Sequence, residues 1–143
     1  MTPILPMFDD LTLIAATVLM EAGNQSFEGK VAVAWVIMNR DKWSQSPGVD
    51  DVILAPWQFS AWNTDNRARA SLQDVMLNQR ELWSECMKAA AAALWALVPD
   101  PTHGAVMYLN PVVTKKIRGG TLPDWYDAAK VTAVIGDHEF LKA

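Results

Sequence analysis

Two apolar runs stand near the start of the chain, separated by four small or polar positions. The first, from Leu11 to Ala22, follows Asp9 and Asp10, either of which can accept the free N–H groups at a helix start, and it stops at Gly23. The second, from Phe27 to Arg40, has Ser26 as its cap. Its residues Val31, Val33, Trp35, Val36, Ile37 and Met38 are apolar nearly all the way round a helical turn, which predicts a central, buried helix. Between 41 and 66, Pro47, Gly48 and Pro56 punctuate short apolar pieces, as in a loop, a short helix or a little β-structure.

A short helix is expected over Asn66 to Asn78, and the longest one over Arg80 to Val98. The latter carries Leu82, Cys86, Ala90, Leu94 and Leu97 on one stripe and is stopped by Pro-Asp-Pro at 99–101. The stretches "AVMYLNP" (105–111) and "KVTAVIG" (130–136) read as short extended segments. Gly136-Asp137 can turn the second of them back onto "HEFLK" as a terminal hairpin. The sum is an α+β fold, mostly helical with a small β component, and one domain over residues 1–143.

Composition narrows the function classes. A net charge of −4 argues against a phosphate-backbone binder and against capture by an anionic membrane, so neither nucleic acid nor stable membrane association is expected. The single cysteine, Cys86, excludes an internal disulfide, and its place in a helical pattern suits a buried structural thiol. His103 and His138 have no ligand spacing between them, so no metal and no cofactor is expected. The chain contains no G-x-S-x-G, phosphate-binding loop or dinucleotide fingerprint. Its start, "MTPILPMFDD", lacks a basic n-region, and the run to Met20 is too short to span a bilayer. Synthesis in the cytoplasm without a signal peptide is the expectation. Seven tryptophans exceed what such a length usually carries and suit flat apolar ligand faces such as sugar rings.

Glu21 is the residue with most chemistry in its pattern. It closes an apolar helix, where the negative end of the helix dipole and apolar neighbours both disfavour ionisation and keep a proton available for general acid work. The same pattern also fits a glutamate pointing to solvent from a last turn. Glu28, in the first turn of the next helix, suits either an ionised partner in the same cleft or simple support of the helix start. The block "WQFSAWN" (57–63) sets Gln58, Ser60 and Asn63 among aromatic residues. That arrangement fits a carbohydrate surface and equally an aromatic mini-core beneath a loop. Tyr108 and Asn110, after Thr102, His103 and Gly104, form a further polar cluster.

Four ordered blocks resemble a known family. They are Glu21-Ala22 with the loop to Glu28-Gly29 and "VAVAWVIMNR", then "WQFSAWN", "DPTHGAVMYLNP" (100–111) and "IGDHEF" (135–140). Together they are similar to the bacterial and phage cell-wall hydrolases that include the spore-cortex-lytic enzymes. Three positions depart from that pattern: Met20 stands where the family usually has glycine, Gln25 where a second acid often follows, and Gly104-Ala105 where an aromatic-histidine pair is common.

The resemblance implies a lysozyme-like fold and cleavage of peptidoglycan between N-acetylmuramic acid and N-acetylglucosamine. It makes Glu21 the catalytic acid of a lytic transglycosylase, with Glu28 and Tyr108 in support and Gln58, Phe59, Ser60, Trp62, Asn63 and Asn110 in substrate binding. It also implies a phage endolysin: a monomer made in the host cytoplasm that reaches the wall in the periplasm after a holin opens the membrane. Two other readings stand beside it. One is a hydrolytic muramidase whose water is activated by Glu28 or Asp65; the other is a non-catalytic glycan-binding or phage structural module.

Overall fold

A computed structural model describes residues 8–45, 48–54 and 66–143. Helix α1 (Asp10–Ala22) starts as its sequence requires, with the Asp9 carboxylate accepting the Thr12 N–H at 2.7 Å. The Ser26 hydroxyl caps α2 (Phe27–Ser44) in the same way, accepting from Gly29 N at 3.2 Å. The helix boundary at Gly23 has a different cause from a left-handed glycine cap. Its φ is −59°, and a Cβ there would stand 2.5 Å from the Leu19 carbonyl oxygen, so the position needs glycine for close approach.

Helix α2 runs four residues past Arg40, because no breaker precedes Gln45, whose left-handed φ of 55° ends it. It is buried along Gly29–Ala34 and at Val36 and Ile37, as a helix apolar on most sides should be. Helices α3 (Val49–Leu54) and α4 (Asn66–Asn78) follow. The expected 80–98 helix is shorter: α5 spans Arg80–Leu94, which leaves α2 as the longest described helix. A turn closes α5 before the prolines, with Leu97 N donating to Ala92 O (2.9 Å) and Ala96 N to Ala93 O (3.1 Å). Ala96 takes the left-handed position at φ 49° where glycine is usual, so composition did not betray this stop. Leu97, expected on the buried stripe, is consequently 67% exposed.

Helices α1 and α2 both pack on α5, whose run of small residues Ala89, Ala90, Ala92 and Ala93 is buried against them. Leu13, Ile14, Val18, Val33, Val36, Ile37 and Ile53 fill the core with Cys86, whose thiol burial pushes up to about 11. That thiol is structural. Helix α6 (Pro111–Ile117) was not expected, although Asn110 followed by proline is a helix-start signal.

Strands β1 (Met107–Leu109), β2 (Val131–Ile135) and β3 (His138–Leu141) form an antiparallel sheet in the order β1-β3-β2. The β2–β3 hairpin turns at Gly136 and Asp137, and β1 adds to its open edge with Tyr108 opposite Phe140. Phe140 and Ile135 carry the sheet into the helical core. The register slips between Val131 and Ala133. Thr132, at that slip, donates its hydroxyl to Thr102 O at 2.6 Å and so ties the hairpin to the loop before β1.

Asp100 organises that loop. Oδ1 accepts from Thr102 N (2.8 Å) and Thr102 Oγ1 (2.7 Å), while Oδ2 accepts from Gly104 N (2.9 Å) and from Asn39 Nδ2 of α2 (2.8 Å). Burial disfavours its ionised form, yet these donors outweigh burial and hold the pKa below the ordinary 3.8. A carboxyl with a depressed folded pKa adds stability above its unfolded pKa and loses it as pH falls through the folded one. Asp100→Asn should therefore be less stable than wild type near neutrality. Thermal melts from about pH 6 down to about pH 2 should show that gap narrowing below about pH 4. A gap of constant size would show that the carboxylate charge does not matter.

Candidate active site

Helix α1 delivers Glu21 in its last turn, and strand β1 delivers Tyr108 from 87 positions along the chain. The Tyr108 hydroxyl donates to Glu21 Oε1 at 2.9 Å. Glu21 is half-buried, not a solvated helix end. Burial pushes its pKa up, while the bond from Tyr108 and the charge of Arg40 pull the other way without cancelling it. Oε2 has no hydrogen-bond partner among the described residues. The arrangement is thus a carboxyl biased towards protonation, with one oxygen oriented by a phenol and the other without a hydrogen bond from the described residues.

The surroundings keep Tyr108 in one role. Burial, the Glu21 charge and the bond to it push the phenol pKa well above 10, so it remains a donor at any working pH. His138 packs edge-on against its ring, with centroids 5.2 Å apart, and Phe140 lies beside it tilted by 31° at 5.8 Å. Burial pushes the His138 imidazole below 6.5 despite Asp137 beside it, so near neutral pH the ring adds no charge to the site.

Arg40 was not singled out from the sequence, and it matters here. It closes the apolar face of α2, its Nε donates to the Val106 carbonyl just before β1, and its charge acts on both Glu21 and Tyr108. Asn39 beside it donates to Ala105 O at 2.9 Å. Together they pin the entry of the strand that carries Tyr108. The available signal was a polar Asn-Arg pair directly after the apolar run 31–38 of α2, since a polar group buried there must be paired.

The remaining expected residues are placed as follows. Glu28 is exposed in the first turn of α2, and no hydrogen bond or ion pair joins it to Glu21. Asn110 lies two residues beyond Tyr108 and caps α6, its Oδ1 accepting from Val113 N at 3.1 Å. Gln58, Phe59, Ser60, Trp62 and Asn63 lie outside the described residues, as does Asp65. Among the described residues no cluster of His, Cys, Asp and Glu could hold a metal ion. No described helix is long and apolar enough to cross a membrane.

The sequence profile of a family described as Cell Wall Hydrolase matches residues 24–141. Two solved structures are similar in sequence and fold. The catalytic domain of the Bacillus cereus SleB protein shares 27% identity with a TM-score of 0.65, over 93% of this chain and 89% of that one. The catalytic domain of the germination-specific lytic transglycosylase SleB from Bacillus anthracis shares 28% identity with a TM-score of 0.62, over 93% of each chain. Among curated proteins none matches. The likeness agrees with the lysozyme-like, mostly helical architecture expected from the sequence.

Because the Tyr108 bond lowers the pKa of Glu21, Tyr108→Phe should raise it. A 13C NMR titration of the labelled glutamate carboxyl checks this, and an unchanged or lower value would mean that the bond is not made in solution.

Proposed function

This chain belongs to the cell wall hydrolase family, and we propose that it cleaves the glycan strand of peptidoglycan by transglycosylation with Glu21 as its single acid and base. The observation that carries the reading is the half-buried Glu21 held by Tyr108 at one oxygen, with its pKa raised. The profile match begins at residue 24, three positions beyond this glutamate.

In the first step Oε2 gives its proton to the glycosidic oxygen between N-acetylmuramic acid and N-acetylglucosamine. The C1–O bond breaks, and positive charge develops on the muramoyl ring. The carboxylate left behind is stabilised by the Tyr108 hydroxyl and the Arg40 charge, the two groups that lower its pKa. In the second step that carboxylate takes the proton of the muramoyl 6-hydroxyl, whose oxygen attacks C1 and closes a 1,6-anhydro ring. Glu21 ends protonated, as it began. Burial favours the acid form for the first step, and Tyr108 with Arg40 keeps the base form accessible for the second.

The route needs no second carboxylate. Among the described residues the groups that bear on Glu21 are a phenol and a cation, and Glu28 stands apart in solvent. One of the two similar solved structures, the Bacillus anthracis SleB catalytic domain, is that of a lytic transglycosylase, which supports the same choice.

Glu21→Gln should lower activity on peptidoglycan by roughly 100-fold or more, as loss of a general acid does. Its thermal stability should be equal or higher. A carboxyl with a raised folded pKa favours folding at low pH, and that advantage is lost as pH rises through the folded pKa, so near pH 8 the amide removes a burden. Mass spectrometry of a wild-type digest should show 1,6-anhydromuramoyl ends; reducing muramic acid ends would replace this route with hydrolysis.

The setting proposed with this reaction is lysis of a phage-infected host from within, after a holin opens the membrane. Co-expression with a holin in a Gram-negative cell should cause lysis that the Glu21→Gln protein does not. Equal lysis by both would overturn that setting.

A further inference from the structure

The loop after Glu21 is tied to the far end of the sheet in a way the reaction above does not use. Gln25 Nε2 donates to Asp137 Oδ2 at 2.9 Å, and Gln25 Oε1 accepts the Asp137 backbone N–H at 3.2 Å. The pair joins the α1–α2 loop to the β2–β3 turn across 112 positions, in both directions at once. Asn24 Oδ1 accepts a further bond from Gln25 Nε2 at 3.2 Å.

The backbone of Gln25 is anchored as firmly as its side chain. Its N–H donates to Ala22 O at 3.0 Å, and its carbonyl accepts from Lys30 Nζ. Lys30 is only 2% exposed, and its ammonium also faces Glu85 at 3.6 Å. Across the gap, Gly136 leaves room for the amide: with φ at 59°, a Cβ there would lie 2.5 Å from Gln25 Oε1. Both sides of the contact are shaped for it.

We propose that Gln25 is a positioning residue for Glu21, and that its clasp on Asp137 sets the separation between the end of α1 and the sheet carrying Tyr108. The links form a closed circuit. Gln25 lies four residues beyond Glu21, Asp137 lies three before Phe140, Phe140 pairs with Tyr108, and Tyr108 returns to Glu21. His138, which packs edge-on against the Tyr108 ring, directly follows Asp137. A shift of the turn relative to the loop therefore moves Tyr108 relative to the carboxyl it orients. The amide at position 25 both donates to the Asp137 carboxylate and accepts from the N–H beside it, whereas a carboxylate there cannot donate and would be repelled. The contact is exposed and adds little stability, but a displacement near 1 Å at a catalytic group can cost far more in rate.

The inference rests on Glu21 being the acid, and its test separates the two. Gln25→Ala and Gln25→Glu should each lower kcat about tenfold with KM and melting temperature nearly unchanged. Pairing Gln25→Glu with Asp137→Asn reverses the amide and carboxylate and restores two hydrogen bonds, both now accepted by the residue-25 carboxylate from the residue-137 amide and backbone N–H. It should recover kcat to within about threefold of wild type. In parallel, the Glu21 carboxyl should titrate higher in Gln25→Ala, which adds no charge, because the Tyr108 bond is loosened. Wild-type kcat in the single variants, a double variant no better than Gln25→Glu, or an unmoved Glu21 titration in Gln25→Ala would each overturn the clasp. Full activity in Glu21→Gln would overturn the catalytic reading instead, and the titration would still report on the clasp.

Discussion

The hydrogen bond from Tyr108 to Glu21 is where the helical body and the small sheet meet in one chemical group. A carboxyl at the end of an apolar helix resists ionisation, and a buried phenol needs an acceptor. Each satisfies the other only if strand β1 arrives at the correct height beside α1. Much of the fold can be understood as holding that strand in place.

Three sets of contacts do so. At the strand's entry, Arg40 and Asn39 at the far end of α2 hold the carbonyls of Val106 and Ala105, and Asp100 gathers the preceding loop around its carboxylate. Along its length, pairing with β3 places Tyr108 opposite Phe140, whose ring is fully buried among the helices. Beyond it, the β2–β3 turn meets the loop that follows Glu21. The polar anchors lie around the apolar core and not within it, so the core supplies cohesion and the anchors supply register.

Similarity to the SleB catalytic domains extends over nearly the whole described architecture. Within this architecture one carboxyl, one phenol and one guanidinium are brought together from α1, β1 and α2. Opposed influences act on a single group there: burial raises the Glu21 pKa, and two neighbours restrain the rise. Such a balance suits a residue that must give up a proton and later take one back.

Local signals were sufficient for the starts of α1 and α2, for α4, and for the terminal hairpin, because caps, apolar periodicity and a Gly-Asp turn act within a few residues. The end of α5 escaped because an alanine, Ala96, took the left-handed turn that composition assigns to glycine. Glu21 and Tyr108 were legible as candidates, but Arg40, Asn39, Asp100 and His138 were not, since their value lies in partners remote along the chain. By itself the sequence determined α1, α2, α4, the start of α5, the hairpin and a carboxyl primed by its helix end and apolar neighbours. Only the tertiary structure decided whether that carboxyl met solvent or a phenol. Burial and hydrogen bonding are properties of what packs alongside, and here the partner comes from 87 residues away.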